Sequence, residues 1–399
     1  MSEISEAADI RREAGGAGPG IGLWQAARSS AVPGRYAFGQ STLSVQDGIW
    51  HLKTREASYR ETGIAVGRLL AQSDYPGIGL FRGWRARAVI NLLWAITRRD
   101  FRRIRIPERY LEELSGYAEG SGIPYRALYF MNFIFDILKK YGFHCSSVAF
   151  SGSGTTIVGR NTDLLPWIAQ LALKWFPPVV MDVAVPGKHR YVHVTPGLFL
   201  GVLGGFNERG IAMMSHQIAA TREESVPGNL ATTLLQRMIL EESEDLEGAD
   251  AVIRGNPIQR CISNLVTSHA EGKSRVYEIT PQSIKVANDN GTFLCCATHF
   301  NDDELSLLSR KKTTISEQRL ALMNRLAENS KPVPEHVIAI LKNTDNGLGH
   351  KNSGQSPTND GTYQSLVFDV SGGRILISDG TKLPVSLTGR YREIVINDA

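Results

Sequence analysis

Cysteine is scarce in this chain: four residues in 399 (Cys145, Cys261, Cys295, Cys296). None stands in a CxxC unit, which removes thiolate zinc sites and thioredoxin-like redox motifs, and the density is far below that of a disulfide scaffold. The vicinal pair Cys295-Cys296 is awkward to bridge, so reduced thiols in a cytoplasmic protein are expected. The nine histidines form no HxH or HExxH arrangement, so no metal and no cofactor is expected. A net charge of only +4, without zinc-finger spacing or an aromatic-basic motif, argues against a nucleic-acid partner. Long apolar runs are missing too. The longest nearly uncharged stretch, Ala86 to Thr97, is broken by Arg87 and Asn91 and is too short for a transmembrane segment. At the N-terminus, MSEISEAADIRREAGGAGPG carries acids where a signal peptide needs positive charge. Residues 1–34 read as a disordered tail.

With 42% hydrophobic residues, the chain can bury a large core in one or two domains. Alternating runs at Leu43-Ser44-Val45 and Ile49-Trp50-His51-Leu52 predict a hairpin around Asp47-Gly48. From Ser58 to Ile137 the periodicity is helical. Val89, Leu92, Leu93 and Ile96 recur at i, i+3, i+4, i+7, and the helix opened by Tyr110-Leu111 stops near Gly120-Ser121-Gly122-Ile123-Pro124. Cys145 begins a strand-rich block to about Thr280 containing one helix, Thr232 to Glu242. Strands at Phe293 to Phe300, Ser365 to Asp369 and Ile375 to Asp379 then alternate with a helix from Ser316 to Asn329. Between Arg82 and Arg109 lie nine arginines and two acids. This run has two readings: a patch for a membrane surface or anionic substrate, or a helix whose arginines sit in solvent or pair internally, which is the ordinary expectation.

The chemistry centres on His144-Cys145. A buried cysteine is usually a small hydrophobe. Here Cys145 opens an alternating run, a Gly-Ser-Gly turn at 152–154 follows, and a second strand ends in Gly159-Arg160-Asn161-Thr162-Asp163. That pattern brings a thiol, a guanidinium and a carboxylate to one end of a hairpin. If the bond between His144 and Cys145 breaks, the freed α-amine, of ordinary pKa about 7.7–8.0, becomes a base on the same residue as the thiol. Asp163 would hold that amine, and Arg160 would polarise a carbonyl or favour thiolate. A surface ion pair is the alternative for Arg160 and Asp163.

On these residues the chain resembles the peptidase C45 group, the acyl-coenzyme A:6-aminopenicillanate acyltransferases, which are cysteine N-terminal-nucleophile (Ntn) hydrolases. More distantly it looks like acid ceramidases, N-acylethanolamine amidases and bile-salt hydrolases. Further resemblances are Tyr59-Arg60-Glu61-Thr62-Gly63 with Gly67, the segment Tyr110 to Ile123, Asn132 with Asp136, Gly205-Phe206-Asn207-Glu208-Arg209-Gly210, Val276 to Thr280, Cys296-Ala297-Thr298-His299-Phe300, Ser309-Arg310 and Tyr363-Gln364-Ser365. The resemblance implies an α+β fold, an αββα sandwich, with residues 35–144 as a helical propeptide (α-chain) and 145–399 as the catalytic β-chain. It implies self-processing at His144–Cys145, then cleavage of a C–N amide bond in an N-acylated small molecule through an acyl-Cys145 intermediate. Transfer of the acyl group to an amine, and an unprocessed relative that only binds acyl ligands, stay open as alternatives. So does a hydrolase that uses His299 as base without cleavage. The implied partners are an acyl amide or thioester substrate and, as one arrangement, a homo-oligomer of processed chains.

Relatives usually carry an oxyanion-hole or orienting Asn where this chain has Thr298-His299, so Thr298, His299 or Asn207 would supply that hydrogen bond. A core histidine, and a turn-forming Asn207, are the plain readings. Arg310 would contact a substrate carboxylate, or sit solvated at a helix start. Trp167 and its apolar neighbours would line an acyl pocket, or simply pack in the core.

Overall fold

The computed structural model describes residues 34–137, 144–152, 154–218, 225–288, 292–309, 314–348 and 355–396. The predicted tail at 1–34 therefore lies outside the described residues except for Gly34, which opens the first strand.

Two sheets stack face to face. The larger has ten strands: β1 (Gly34–Phe38), β2 (Ser41–Gln46), β3 (Ile49–Thr54), β6 (Pro178–Val183), β7 (Tyr191–Pro196), β8 (Gly204–Asn207), β9 (Ile211–Gln217), β10 (Ile262–Ser268), β11 (Lys273–Ile279) and β12 (Ile284–Asn288), in that spatial order. All neighbours run antiparallel except β3 and β6, which are parallel. The smaller sheet runs β13 (Phe293–Cys296), β4 (His144–Gly152), β5 (Thr155–Asp163), β14 (Thr362–Asp369), β15 (Arg374–Ser378) and β16 (Tyr391–Val395). The helices are α1 (Tyr59–Gln72), α2 (Pro76–Arg82), α3 (Trp84–Phe101), α4 (Glu108–Ser121), α5 (Tyr125–Ile137), α6 (Pro166–Trp175), α7 (Thr232–Glu242), α8 (Leu246–Gly255), α9 (Asp303–Ser306), α10 (Thr314–Glu328), α11 (Pro334–Lys342) and α12 (Val385–Thr388).

The layers follow from two-residue alternation. On β4 and β5, Ala149 and Val158 enter the core between the sheets, with Phe206, Met214 and Leu265 from the large sheet. Their neighbours Val148 and Ile157 point the other way, onto Met323, Val337 and Leu341 of α10 and α11. A strand buried on both faces needs apolar residues at successive positions, which is what Val148-Ala149 and Ile157-Val158 supply. On the outer face of the large sheet, Leu69, Leu114, Leu128, Leu234 and Ile253 of five helices cover Leu52, Met181 and Val266. The result is an αββα sandwich, the fold class that the sequence implied.

The glycines of the first helical block fit one another. Helices α1 and α4 pack so closely that a Cβ at Gly63 would collide with the Glu113 carbonyl, at Gly116 with the Arg60 carbonyl and at Gly120 with the Ile64 carbonyl. Close backbone approach, more than helix propensity, accounts for these glycines. The Asp47-Gly48 hairpin is present, both residues at positive φ (51° and 77°), and Gly122 closes α4 in the left-handed conformation at φ 70°.

Five helices lie where the sequence reading placed none: α6 and α11, each with Pro near its start, α8, capped by Asp245 accepting from the Gly248 N–H at 2.7 Å, and the single turns α9 and α12. The strand expected from Phe293 to Phe300 ends at Cys296, because the chain turns towards α10, where the Thr298 N–H bonds Ser316 Oγ at 3.1 Å. The regularly spaced Val89, Leu92, Leu93 and Ile96 do lie on one helix, α3, but on its solvent side. Ile90, Trp94 and Phe101 form its inner face.

Candidate active site

The β4–β5 hairpin positions the reactive groups. Its register sets His144 opposite Asp163, Cys145 opposite Thr162 and Ser147 opposite Arg160. Cys145 is fully buried, in a small cluster with Ala169, Leu173, Phe199, Leu203 and Tyr363. Its sulfur accepts a hydrogen bond from Arg160 Nη2 at 3.0 Å, while Arg160 Nη1 donates to the Leu203 carbonyl. Burial pushes the thiol above its ordinary range, and the Arg160 cation acts against that shift.

Asp163 is also buried. Thr362 Oγ1 donates to its Oδ1 at 2.6 Å and Arg319 Nη1 to its Oδ2 at 3.1 Å. The same Arg319 nitrogen donates to the Cys145 carbonyl at 3.3 Å. Burial opposes both charges of this pair, raising Asp163 and lowering Arg319, while their mutual attraction and the Thr362 hydroxyl offset it. Arg160 and Asp163 are thus no surface ion pair. Three N–H donors around the hairpin end find no acceptor among the described residues: Arg160 Nε, Arg319 Nε and Asn359 Nδ2. The Asn359 amide lies beside the Asp163 carboxylate without well-aligned hydrogen-bond geometry.

The hairpin leans on a strained loop. Leu198 has φ 83°, unusual for a side-chain-bearing residue. Asn132 on α5 holds it: Nδ2 donates to the Leu198 carbonyl at 3.1 Å, and Oδ1 accepts from the Leu200 N–H at 2.6 Å. The same loop presents Phe199 and Leu203 to Cys145. One turn further, Asp136 Oδ1 accepts from the Thr232 N–H at 3.0 Å, capping α7 from outside.

The other expected site residues fare differently. Asn207 is committed to structure: Nδ2 donates to the Leu240 and Ser243 carbonyls at 2.9 and 2.8 Å, and Oδ1 accepts from the Arg209 and Ile211 N–H groups. Its amide closes the β8–β9 turn onto the end of α7 and has no donor left for an oxyanion. Trp167 is 65% exposed on the outside of α6, whose inward residues are Ala169 and Leu173, so it is not a wall of the Cys145 cluster. Thr298 lies beyond the end of β13, whose last registered pair is Cys296↔Ser147. His299 Nδ1 is 2.8 Å from Ser316 Oγ, which also takes the Thr298 N–H. Neither side chain is bonded to Cys145, Arg160 or Asp163. Arg310 lies outside the described residues. Arg319 and Asn359 went unread because they reach the site from 174 and 214 positions along the chain; Arg319 shows in sequence only as a cation within the helical pattern of α10.

A second buried histidine adjoins the site without serving the thiol. His216 Nδ1 is 3.0 Å from the Ser263 carbonyl, which can only accept, so the ring N–H is there and Nε2 accepts from Ser147 Oγ at 2.8 Å. Burial, with Arg160 close by, pulls His216 down to about 3. The folded chain keeps the ring neutral at pH values where the unfolded chain protonates it, so its stabilisation is whole above pH 6.5 and is lost as pH falls from there towards 3. Asp136 and Asp163 shift upward and act in the opposite sense, so the readout is a difference. Between roughly pH 7 and pH 4, denaturant titrations are expected to show wild type losing about 3 kcal/mol more than His216→Gln; equal losses would contradict a neutral buried ring.

Comparison with solved structures finds similarity, at TM-scores of 0.42 and 0.43, to an N-acylethanolamine-hydrolyzing acid amidase ortholog from Caenorhabditis elegans and to penicillin V acylase from Agrobacterium tumefaciens. The identities are 15% and 12%, covering 63% of this chain in each case and 100% and 86% of the others. A mutant conjugated bile acid hydrolase from Clostridium perfringens is similar at 11% identity and a TM-score of 0.42, over 63% of this chain and 92% of that one. Curated proteins give no match. A family model described as acyl-coenzyme A:6-aminopenicillanic acid acyl-transferase matches residues 150–381, more than half of the chain, starting just after Cys145 and including Arg160, Asp163, Arg319 and Asn359. The chain therefore belongs to the acyl-coenzyme A:6-aminopenicillanic acid acyl-transferase family and is an enzyme of the amidohydrolase/acyltransferase type.

Proposed function

We propose that this protein is a self-processing cysteine Ntn hydrolase that cleaves the amide bond of an N-acylated small molecule. The observation that carries the reading is the Arg160 hydrogen bond to the Cys145 sulfur at the end of a hairpin whose register sets Asp163 opposite residue 144. In the precursor, Cys145 Sγ adds to the His144 carbonyl carbon. The peptide nitrogen departs as the α-amine of Cys145, taking the thiol proton, and a thioester joins the residue 144 carbonyl to Sγ. Water hydrolyses that ester, leaving a carboxylate at residue 144 and a free thiol and amine at residue 145. Residues 35–144 would remain as the α-chain and 145–399 become the β-chain.

In the mature site the α-amine emerges beside Asp163, where a carboxylate stabilises its ammonium form. It takes the thiol proton as Sγ attacks the substrate carbonyl and returns it to the leaving amine. The unpaired Arg160 Nε, Arg319 Nε and Asn359 Nδ2 are the candidate donors for the substrate carbonyl oxygen or the developing oxyanion, and Phe199, Leu203 and Tyr363 supply an apolar wall for the acyl group. The free thiols fit a cytoplasmic setting. The family description favours a second outcome for the acyl-enzyme, transfer to an amine in place of water. Intact-mass measurement with N-terminal sequencing of purified protein tests the processing: a chain beginning at Cys145 is expected. Product analysis on N-acyl amides, with and without an amine acceptor, then separates hydrolysis from transfer. An intact chain that turns over no acyl amide would end the proposal.

A further inference from the structure

Helix α3 turns to solvent the stripe that its spacing would ordinarily bury. Val89, Leu92, Leu93 and Ile96 are 56%, 64%, 36% and 67% exposed. The opposite face is well occupied: Trp94 stacks on Phe101 at 5.3 Å between ring centroids, and both meet Tyr129 of α5 edge-on. Arginines bracket the stripe, Arg85 and Arg87 before it and Arg98, Arg99, Arg102 and Arg103 after it, all exposed. The four that follow form no ion pair among the described residues, and the one acid of α3 is Asp100. An apolar band with cationic ends is the pattern of a helix lying at the headgroup level of a membrane, its arginine stems extended along the apolar surface and their heads at the phosphates. No described helix is long and apolar enough to cross a bilayer.

Exposed apolar side chains also occur on α6. Helix α2 touches both α3 and α6, with Phe81 and Phe176 at 5.9 Å, and α6 exposes Trp167 and Leu171. A second copy of the chain would also cover the stripe, but it would set one bracket of arginines against another, and like charges across an interface are disfavoured. Charge complementarity selects an anionic surface.

We propose that α3 docks this enzyme onto anionic phospholipid, the stripe 89–96 entering the headgroup layer and the flanking arginines neutralising lipid phosphates. The inference is independent of the reaction proposed for Cys145. It is tested by sedimenting the full-length chain with phosphatidylcholine vesicles, with and without phosphatidylserine. Wild type is expected to sediment with the phosphatidylserine vesicles and to be released by salt. The paired variants Leu92→Glu/Ile96→Glu and Arg98→Glu/Arg99→Glu should each lower the partition coefficient roughly tenfold or more, with thermal melts unchanged. Should the glutamates shift the melt, Leu92→Ser/Ile96→Ser gives the same readout more mildly. Absence of wild-type binding, equal binding to neutral vesicles, or an oligomer that dissociates in the Leu92→Glu/Ile96→Glu variant while wild type ignores lipid would overturn the proposal; the last result would assign the stripe to a second copy.

Discussion

Cys145→Ala is expected to run as a single species of full-length mass and to lose acyl-amide turnover by at least about 10⁴-fold, whereas wild type is expected to separate into two fragments at His144–Cys145. The size of the effect follows from the surroundings of the four thiols. Arg160 donates to the Cys145 sulfur. Burial drives Cys296 up to about 12 and Cys295 upward as well, with no cation on either to counter it. Neither of these two thiols is therefore poised to replace Cys145 as the nucleophile. Cys145→Ser keeps a group able to attack, but one with a far less acidic proton, so slow processing with residual turnover is expected. Fragments at the same boundary in Cys145→Ala, seen by intact mass, would remove the thiol from the mechanism.

Arg237→Met should cost on the order of 3–5 kcal/mol or more in denaturant unfolding. Arg237 is buried on α7, with Nη2 donating to Glu113 Oε2 at 2.6 Å and Nε to Glu241 Oε1 at 2.7 Å. The rings of Tyr59 and Tyr110 lie 5.5 and 4.8 Å from its guanidinium carbon, and both phenols donate to Glu241 Oε2. Removing the cation leaves two buried carboxylates with only the partly exposed Arg109, 3.9 Å from Glu241, as counter-charge. The variant is expected to recover part of the loss when Glu113→Gln is added, because one of the stranded charges goes with it. A single variant as stable as wild type would show that the triad contributes specificity of packing instead of stability. Because Glu113 belongs to α4 and Arg237 to α7, the same pair joins the proposed α-chain to the proposed β-chain.

The local part of the site was legible in the sequence, the assembled part was not. Cys145, Arg160 and Asp163 sit on two strands of one hairpin, with Gly152 and Gly154 at positive φ where the strands meet, so spacing alone carried their juxtaposition. Arg319 reaches Asp163 from α10 and Asn359 from the segment before β14, and nothing in local periodicity announces a contact made by folding two distant layers together. Asn207 misled for a chemical reason: an amide that closes a turn and one that serves an oxyanion are the same residue type, and only the four bonds made by its side chain tell them apart. The stripe on α3 marked its helix correctly without giving its orientation. Spacing of i, i+3, i+4, i+7 marks a face that avoids water but does not say what covers it, and the aromatic residues Trp94 and Phe101 took the core side. The fold was easier, since strands buried on both faces and helices with one apolar face leave their period in the sequence.

The parallel pairing of β3 with β6 has a consequence for how the molecule holds together. The first three strands lengthen the large sheet instead of forming a separate unit, so hydrogen bonds across β3–β6, together with the shared helical core and the Glu113–Arg237 pair, hold the N-terminal segment independently of the covalent link at residue 144. A C-terminal piece produced alone would present β6 as a bare sheet margin with its amides and carbonyls unmet, a template for sticking to other chains. Severing the backbone after folding and supplying the two halves separately are thus different experiments: one keeps a closed margin, the other never makes it.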